Sequence, residues 1–191
     1  MSLDVLFVCR ANLCRSAMAE ALLRAALPAG ADVTATSAGT HALVGHAMDG
    51  AAAHAVRELG GDPDPHRARP VSAALVTASD LVLTATAAQR DEVEARAPAA
   101  RDRIFTLREF ARLGAALPEP GGQRPAERIH AVAARRRRDP DPGPTDDIGD
   151  PFGAPWWQVQ ACARVIDEAV RATLRALGVA GVPRVTPRSG T

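Results

Sequence analysis

Short, nearly unbroken apolar runs alternate along the chain with longer stretches in which apolar residues recur every three or four positions. Val5 to Val8 is the first run and reads as a buried strand, while from Ser16 the spacing Met18, Leu22, Ala25, Ala26 marks one face of a helix. Val33 to Ala38 reads as a second strand, followed by Gly39 and a loop, and Ala51 to Leu59 looks helical up to the Gly60-Gly61 stop. Leu81 to Thr84 is a third, almost wholly apolar strand, Gln89 to Arg96 a polar helix, and Ile104 to Leu107 a fourth strand. Cys162, Ile166, Ala169, Val170, Thr173 and Leu177 line one face of a last helix that stops at Gly178. Strands alternating with helices predict an α/β fold, a three-layer sandwich whose four-stranded parallel sheet is covered by helices on both faces.

Between Gly114 and Asp147 the pattern breaks, with prolines and glycines at both ends of a helix-like piece around Glu127 to Arg138. This segment, 114–147, reads as a Pro- and Arg-rich surface insertion. Its run Arg135 to Arg138 reads as a solvated helix face, with docking of an acidic partner as the alternative. The domain is expected to cover 1–178, and 179–191 to form a flexible tail.

With 191 residues and 47 % hydrophobic content, the chain is the size of one domain with one substantial core. A formal charge of +1 gives no global attraction to nucleic acid or membrane. No apolar run reaches the length of a membrane span, and Met1 to Asp4 lead straight into the first strand without a signal pattern, so a cytoplasmic protein is expected. The three cysteines, Cys9, Cys14 and Cys162, are too few for a disulfide framework, and no second Cys or His pair completes a zinc site. They read as reactive or buried thiols.

The chemistry concentrates between the first strand and the first helix. Val8-Cys9-Arg10-Ala11-Asn12-Leu13-Cys14-Arg15-Ser16 joins a buried strand to a helix N-terminus, where backbone N–H groups can converge on an anion. A thiol at the base of such a cradle meets inward amides, a helix dipole and a guanidinium, all of which favour the thiolate. Five residues between Cys9 and Arg15 let the loop circle a phosphate once and return a planar guanidinium to hold two of its oxygens.

On these residues the chain resembles the low-molecular-weight protein tyrosine phosphatases, whose signature is Cys-x5-Arg-Ser near the N-terminus. Ser37-Ala38-Gly39-Thr40, Met48-Asp49, His66-Arg67-Ala68-Arg69 and Asp150-Pro151-Phe152-Gly153 also occur in the family's order. The resemblance implies a strand order of 2-1-3-4, a Cys9 nucleophile, an Arg15 clamp and a phosphate loop built from Arg10, Ala11, Asn12, Leu13, Cys14 and Arg15. It implies a left-handed Asn12 and a polar network of Asn12, Ser16, Ser37 and His66, with the Ser16 hydroxyl stabilising the thiolate. Ala11 stands where the family usually has glycine, which would strain the loop if that position needed positive φ.

Displacing a phenoxide from phosphorus calls for a proton donor opposite the sulfur. Asp150 occupies the position of the family's catalytic aspartate, whereas Asp146 and Asp147 read as polar loop or cap residues. The implied cycle runs through a cysteinyl-phosphate, needs no metal or cofactor, and is blocked by phosphate or vanadate. Leu13, a branched apolar residue at the position where the family's phosphoarginine enzymes carry threonine, favours phosphotyrosine proteins or aryl phosphates. Leu13, Phe152 and Trp156 or Trp157 are expected to wall the substrate ring, with core packing as the alternative for the tryptophans. Leu43 and Val44 occupy a loop where relatives often place another aromatic residue. Cys14 reads equally as a redox partner of Cys9 and as a space-filling thiol, and Cys162 as core. The rival readings are arsenate reduction on the same scaffold, which usually needs resolving cysteines absent between Thr77 and Arg112, a protein-arginine phosphatase, and a non-catalytic phosphate-binding module.

Overall fold

The computed structural model describes residues 2–138 and 146–179; the expected tail, from residue 180 on, and part of the expected insertion lie outside them. The first strand, β1 (Leu3–Cys9), sits in the middle of the sheet, between β2 (Val33–Gly39) and β3 (Leu81–Thr84). The fourth strand, β4 (Ile104–Thr106), pairs with the far side of β3, so that the order is β2-β1-β3-β4 and every pairing is parallel.

Because successive side chains of a strand point to opposite faces, β1 feeds both cores at once. Val5, Phe7 and Cys9 enter one layer, Leu6 and Val8 the other. That is why the strand is written as an apolar run instead of an alternation. The larger layer contains α1 (Arg15–Ala26), α2 (Gly50–Glu58), α5 (Leu107–Ala115) and the long α7 (Trp156–Ala176). The smaller one is closed by α3 (Ala73–Ala78) and α4 (Ala87–Arg96), followed by a 3-10 turn at Pro98–Arg103. In α5 a Cβ on Gly114 would stand 2.5 Å from the Ala176 Cβ, so the missing side chain lets α5 and α7 approach.

The last strand is shorter than its apolar run predicts, because Leu107 already belongs to α5. Thr106 Oγ1 accepts the Glu109 amide at 3.2 Å and Glu109 Oε2 accepts the Thr106 amide at 3.1 Å, a reciprocal cap that starts the helix there.

The segment expected to be a surface insertion is also built in. Its helix α6 (Pro125–Arg138) buries Ile129, Val132 and Ala133 in the larger core. Arg128, itself buried, donates to the carbonyls of Ala176 at 2.7 Å and Pro118 at 2.9 Å. The arginine run is correspondingly not one solvated face. Arg136 lies over the Phe105 ring at 4.3 Å and donates to the carbonyls of Ile104 and Arg101, while Arg137 pairs with Asp102 at 2.9 Å. Among the described residues no helix is long and apolar enough to cross a membrane.

Candidate active site

Where β1 ends at Cys9, its partner in register is Gly39. A Cβ on Gly39 would lie 2.6 Å from the Arg10 carbonyl oxygen and 3.0 Å from the Asn12 nitrogen, so only glycine lets the loop rest on the end of β2. The loop carbonyls are then taken up from outside. Cys9 O accepts from Thr40 N (2.9 Å), Arg10 O from His41 N (2.8 Å), Ala11 O from Leu43 N (3.1 Å) and Leu13 O from Asp49 N (3.0 Å). The Asn12 carbonyl accepts from His66 Nε2 at 2.8 Å, which must be the donor because a carbonyl only accepts.

In a planar trans peptide the N–H points opposite to the preceding C=O. Five consecutive carbonyls held from outside therefore aim the amides of Arg10, Ala11, Asn12, Leu13 and Cys14 inward. This is an anion cradle at the start of α1.

Asn12 supports the loop's turn with φ 58°, the single positive value outside glycine among the described residues. Ala11 is thus not in the left-handed region, and its departure from the family's glycine carries no backbone strain. The Asn12 side chain, fully buried, donates to Ser16 Oγ at 2.9 Å and Ser37 Oγ at 2.8 Å and accepts from Arg69 N at 2.9 Å. With Asn12 donating to it, the Ser16 hydroxyl has two acceptors for its one proton, Cys9 Sγ at 2.9 Å and the more distant Ala38 carbonyl at 3.4 Å, and the nearer sulfur is the better placed. Asn12, Ser16, Ser37 and His66 are therefore joined in one hydrogen-bonded network, the one the family resemblance implies.

Glu20, absent from the sequence-derived site, anchors this network's far end. It stands one helical turn after Ser16 on α1, accepts from Ser37 Oγ at 2.5 Å and Arg24 at 2.6 Å, and faces His66 Nδ1 at 3.6 Å. Burial pushes the Glu20 carboxyl up, but hydrogen bonds from His66 and Ser37, together with the Arg24 charge, outweigh it and hold the group below the usual carboxylate range. The available signal was a carboxylate i+4 to Ser16, amid residues spaced for burial.

Arg15 is buried at the first position of α1. Its guanidinium donates to the Ile148 carbonyl at 3.0 Å and pairs with Asp150 Oδ2 at 2.7 Å, while its buried Nε has no acceptor among the described residues. Asp150 has a side chain 48 % exposed, and its other oxygen accepts the Phe152 amide at 3.3 Å. Cys9, Arg10, Ala11, Leu13, Cys14, Arg15, Leu43, Asp150 and Phe152 line one cavity of about 200 Å³. A groove of about 860 Å³ near Pro118 and Arg175 is larger, but among the described residues no thiol or hydroxyl side chain lines it. Chemistry, not size, selects the smaller cavity.

Other expected residues fall elsewhere. Trp156 and Trp157 are neither core nor cavity wall but stand in solvent at the start of α7, because that end of the helix projects past the core. Leu43 takes part in the wall instead. Cys162 is half-buried, its Sγ 3.9 Å from the Gly149 carbonyl, so it packs under the acid-bearing loop at the core's edge and not within the core. Burial pushes its thiol up to about 11. Cys14 is buried in the loop, and burial, reinforced by Asp49 and Asp150, pushes its thiol far up. Asp146 and Asp147 serve structure: Asp146 pairs with Arg112 at 2.7 Å and Asp147 Oδ1 accepts the Ala87 amide at the start of α4 at 2.7 Å.

Comparisons with known proteins agree with this geometry. A family model described as low molecular weight phosphotyrosine protein phosphatase matches residues 4–135. A probable low molecular weight protein-tyrosine-phosphatase of Ralstonia nicotianae is 40 % identical over 114 residues, 60 % of this chain and 77 % of that one. A protein-arginine-phosphatase of Bacillus subtilis is 36 % identical over 112 residues, 56 % of this chain and 72 % of that one. The crystal structure of a low molecular weight protein tyrosine phosphatase from T. tengcongensis superposes with a TM-score of 0.70 at 28 % identity, covering 91 % of this chain and 98 % of the other.

Proposed function

The chain belongs to the low molecular weight phosphotyrosine protein phosphatase family, and from that premise we propose that it hydrolyses phosphotyrosine with Cys9 as nucleophile, Arg15 as phosphate clamp and Asp150 as general acid and base. The observation that carries the assignment is the convergence of the Cys9 sulfur, the Arg15 guanidinium and the solvent-exposed Asp150 carboxyl on a single cavity floored by inward amides.

In the first step the Cys9 thiolate attacks phosphorus, the bond from phosphorus to the aryl oxygen breaks, and Asp150 gives its proton to the departing phenoxide. Amides 10 to 14 and Arg15 stabilise charge on the equatorial oxygens, which is where the barrier is lowered. In the second step water attacks phosphorus, the sulfur leaves as thiolate, and Asp150 takes the water's proton. Ser16, donating to sulfur, makes Cys9 a better leaving group at this stage. Before substrate binds, Asp150 rests on Arg15; an incoming phosphate competes for that guanidinium and frees the carboxyl to face the leaving group.

The family also contains enzymes for phosphoarginine, such as the Bacillus subtilis relative. The apolar Leu13 and Phe152 of this cavity suit a flat aryl ring better than a charged guanidino group, and among the described residues Asp150 is the one carboxylate lining it. A side-by-side assay of phosphotyrosine and phosphoarginine tests the choice: faster turnover of phosphotyrosine is expected, and preference for phosphoarginine overturns it. Hydrolysis of aryl phosphate, sensitive to vanadate, is expected to vanish in Cys9→Ser and to fall about 10²-fold or more in Asp150→Ala. Undiminished turnover by Cys9→Ser overturns the mechanism.

A further inference from the structure

Resting on the reading of the chain as a phosphotyrosine phosphatase, we propose that the cavity mouth carries an apolar lip that docks the polypeptide flanking a phosphotyrosine, favouring aliphatic or aromatic neighbours of the phosphorylated residue. Six large apolar side chains stand in solvent among the described residues: Leu43, Val44, Phe152, Trp156, Trp157 and Val165. Five of them, 47 % to 67 % exposed, fall on the two segments that flank the cavity, and only Val165 lies apart. Isolated exposed apolar residues need no explanation, but a cluster of this kind around a polar site marks a binding surface.

The cluster is continuous with the site. Leu43 and Phe152 line the cavity wall and also face solvent. Val44 adjoins Leu43, and Trp157, the most distant member, follows Phe152 by five residues, within about 18 Å of chain.

Size identifies the occupant. The cavity of about 200 Å³ is smaller than the roughly 300–1,000 Å³ that enclose a drug-sized ligand. It takes the phosphate and the ring, which leaves Val44, Trp156 and Trp157 without contact unless the substrate continues as polypeptide. Tryptophan at such a rim offers large area at low entropic cost. Charge points the same way: Arg10 is exposed at the cavity with no hydrogen-bond or ion-pair partner for its side chain among the described residues, and suits an acidic residue of the same peptide.

The test uses two phosphotyrosine peptides, each with one glutamate, that differ only in Leu against Ser on both sides of the phosphotyrosine. The chain has two tryptophans and no tyrosine, so its emission reports the lip alone. Adding the Leu peptide to Cys9→Ser protein is expected to blue-shift that emission saturably, while the Ser peptide and inorganic phosphate leave it in place. In the wild type kcat/KM is expected to be about five-fold higher for the Leu peptide. That ratio should collapse toward unity in the Val44→Ser, Trp157→Ser double variant, whose hydrolysis of p-nitrophenyl phosphate persists and shows that it is folded. Equal rates for both peptides in the wild type, or a ratio that survives in the double variant, overturns the lip. So does a peptide-free blue shift with rising protein concentration and a doubled mass, which would assign the surface to a second copy of the chain. Failure to hydrolyse any aryl phosphate would instead remove the phosphatase reading.

Discussion

Asn12 is neutral and wholly buried, yet it holds the loop in three ways. Its backbone takes the left-handed turn, its side chain fills both hydroxyls beneath the loop, and its carbonyl receives His66. Asn12→Ala strands several buried partners at once, so a loss of about 3 kcal/mol in stability is expected from the denaturant midpoint, along with a fall in kcat. Glu20, at the far side, makes the same network sensitive to acid. Its folded carboxyl is held below the usual range, so its stabilising contribution is present above the unfolded value of about 4.3 and is lost as pH falls through the folded one. The wild type is therefore expected to be more stable than Glu20→Gln in urea at pH 7, with the gap closing between pH 5 and 3; a constant gap would show that the carboxyl is not linked to folding. As candidates, Cys9 and Arg15 were legible because a phosphate cradle demands residue types at a set spacing, and Asp150 through the resemblance. Glu20 was not, since a carboxylate on a helix is ordinarily a solvated one.

At the scale of elements, the reciprocal cap of Thr106 and Glu109 was written in the chain as Thr-Leu-Arg-Glu, but the apolar run that it interrupts reads as a longer strand. Thr106→Ala is expected to cost about 1 kcal/mol, measured by thermal or urea melting. The helix α6 shows the opposite difficulty. Its flanking prolines and glycines and its four arginines resemble a surface excursion, while three apolar residues on one face and a buried arginine tie it to α7. Ile129→Ala with Val132→Ala is expected to lower stability by about 4 kcal/mol, a core-sized effect that a surface insertion would not produce. Arg136 is held by carbonyls and a phenyl ring, so what local composition presents as spare charge is a tether.

Across the whole molecule, the site depends on bringing residue 150 to residues 9 to 15. The segment before Asp150 is pinned at successive points: Asp146 to Arg112 of α5, Asp147 to the first turn of α4, and Ile148 to Ala85 at 2.8 Å and to Arg15. Loosening it should impair proton delivery more than attack by sulfur. Arg112→Ala is accordingly expected to slow hydrolysis of phosphotyrosine, whose leaving group needs a proton, several-fold more than that of p-nitrophenyl phosphate, whose leaving group does not. Equal losses on both substrates would place the defect in the phosphate loop instead.

Strand burial imposes apolar runs and a phosphate cradle imposes Cys-x5-Arg, so the α/β class, the parallel sheet and the candidates Cys9 and Arg15 could be read from the chain, with Asp150 added by the resemblance. Tertiary structure alone decided that Glu20 closes the network, that α6 belongs to the core, and that the tryptophans stand outside the cavity. Those outcomes turn on which faces meet across the fold, and a side chain's burial or partner is set by neighbours that are remote along the chain.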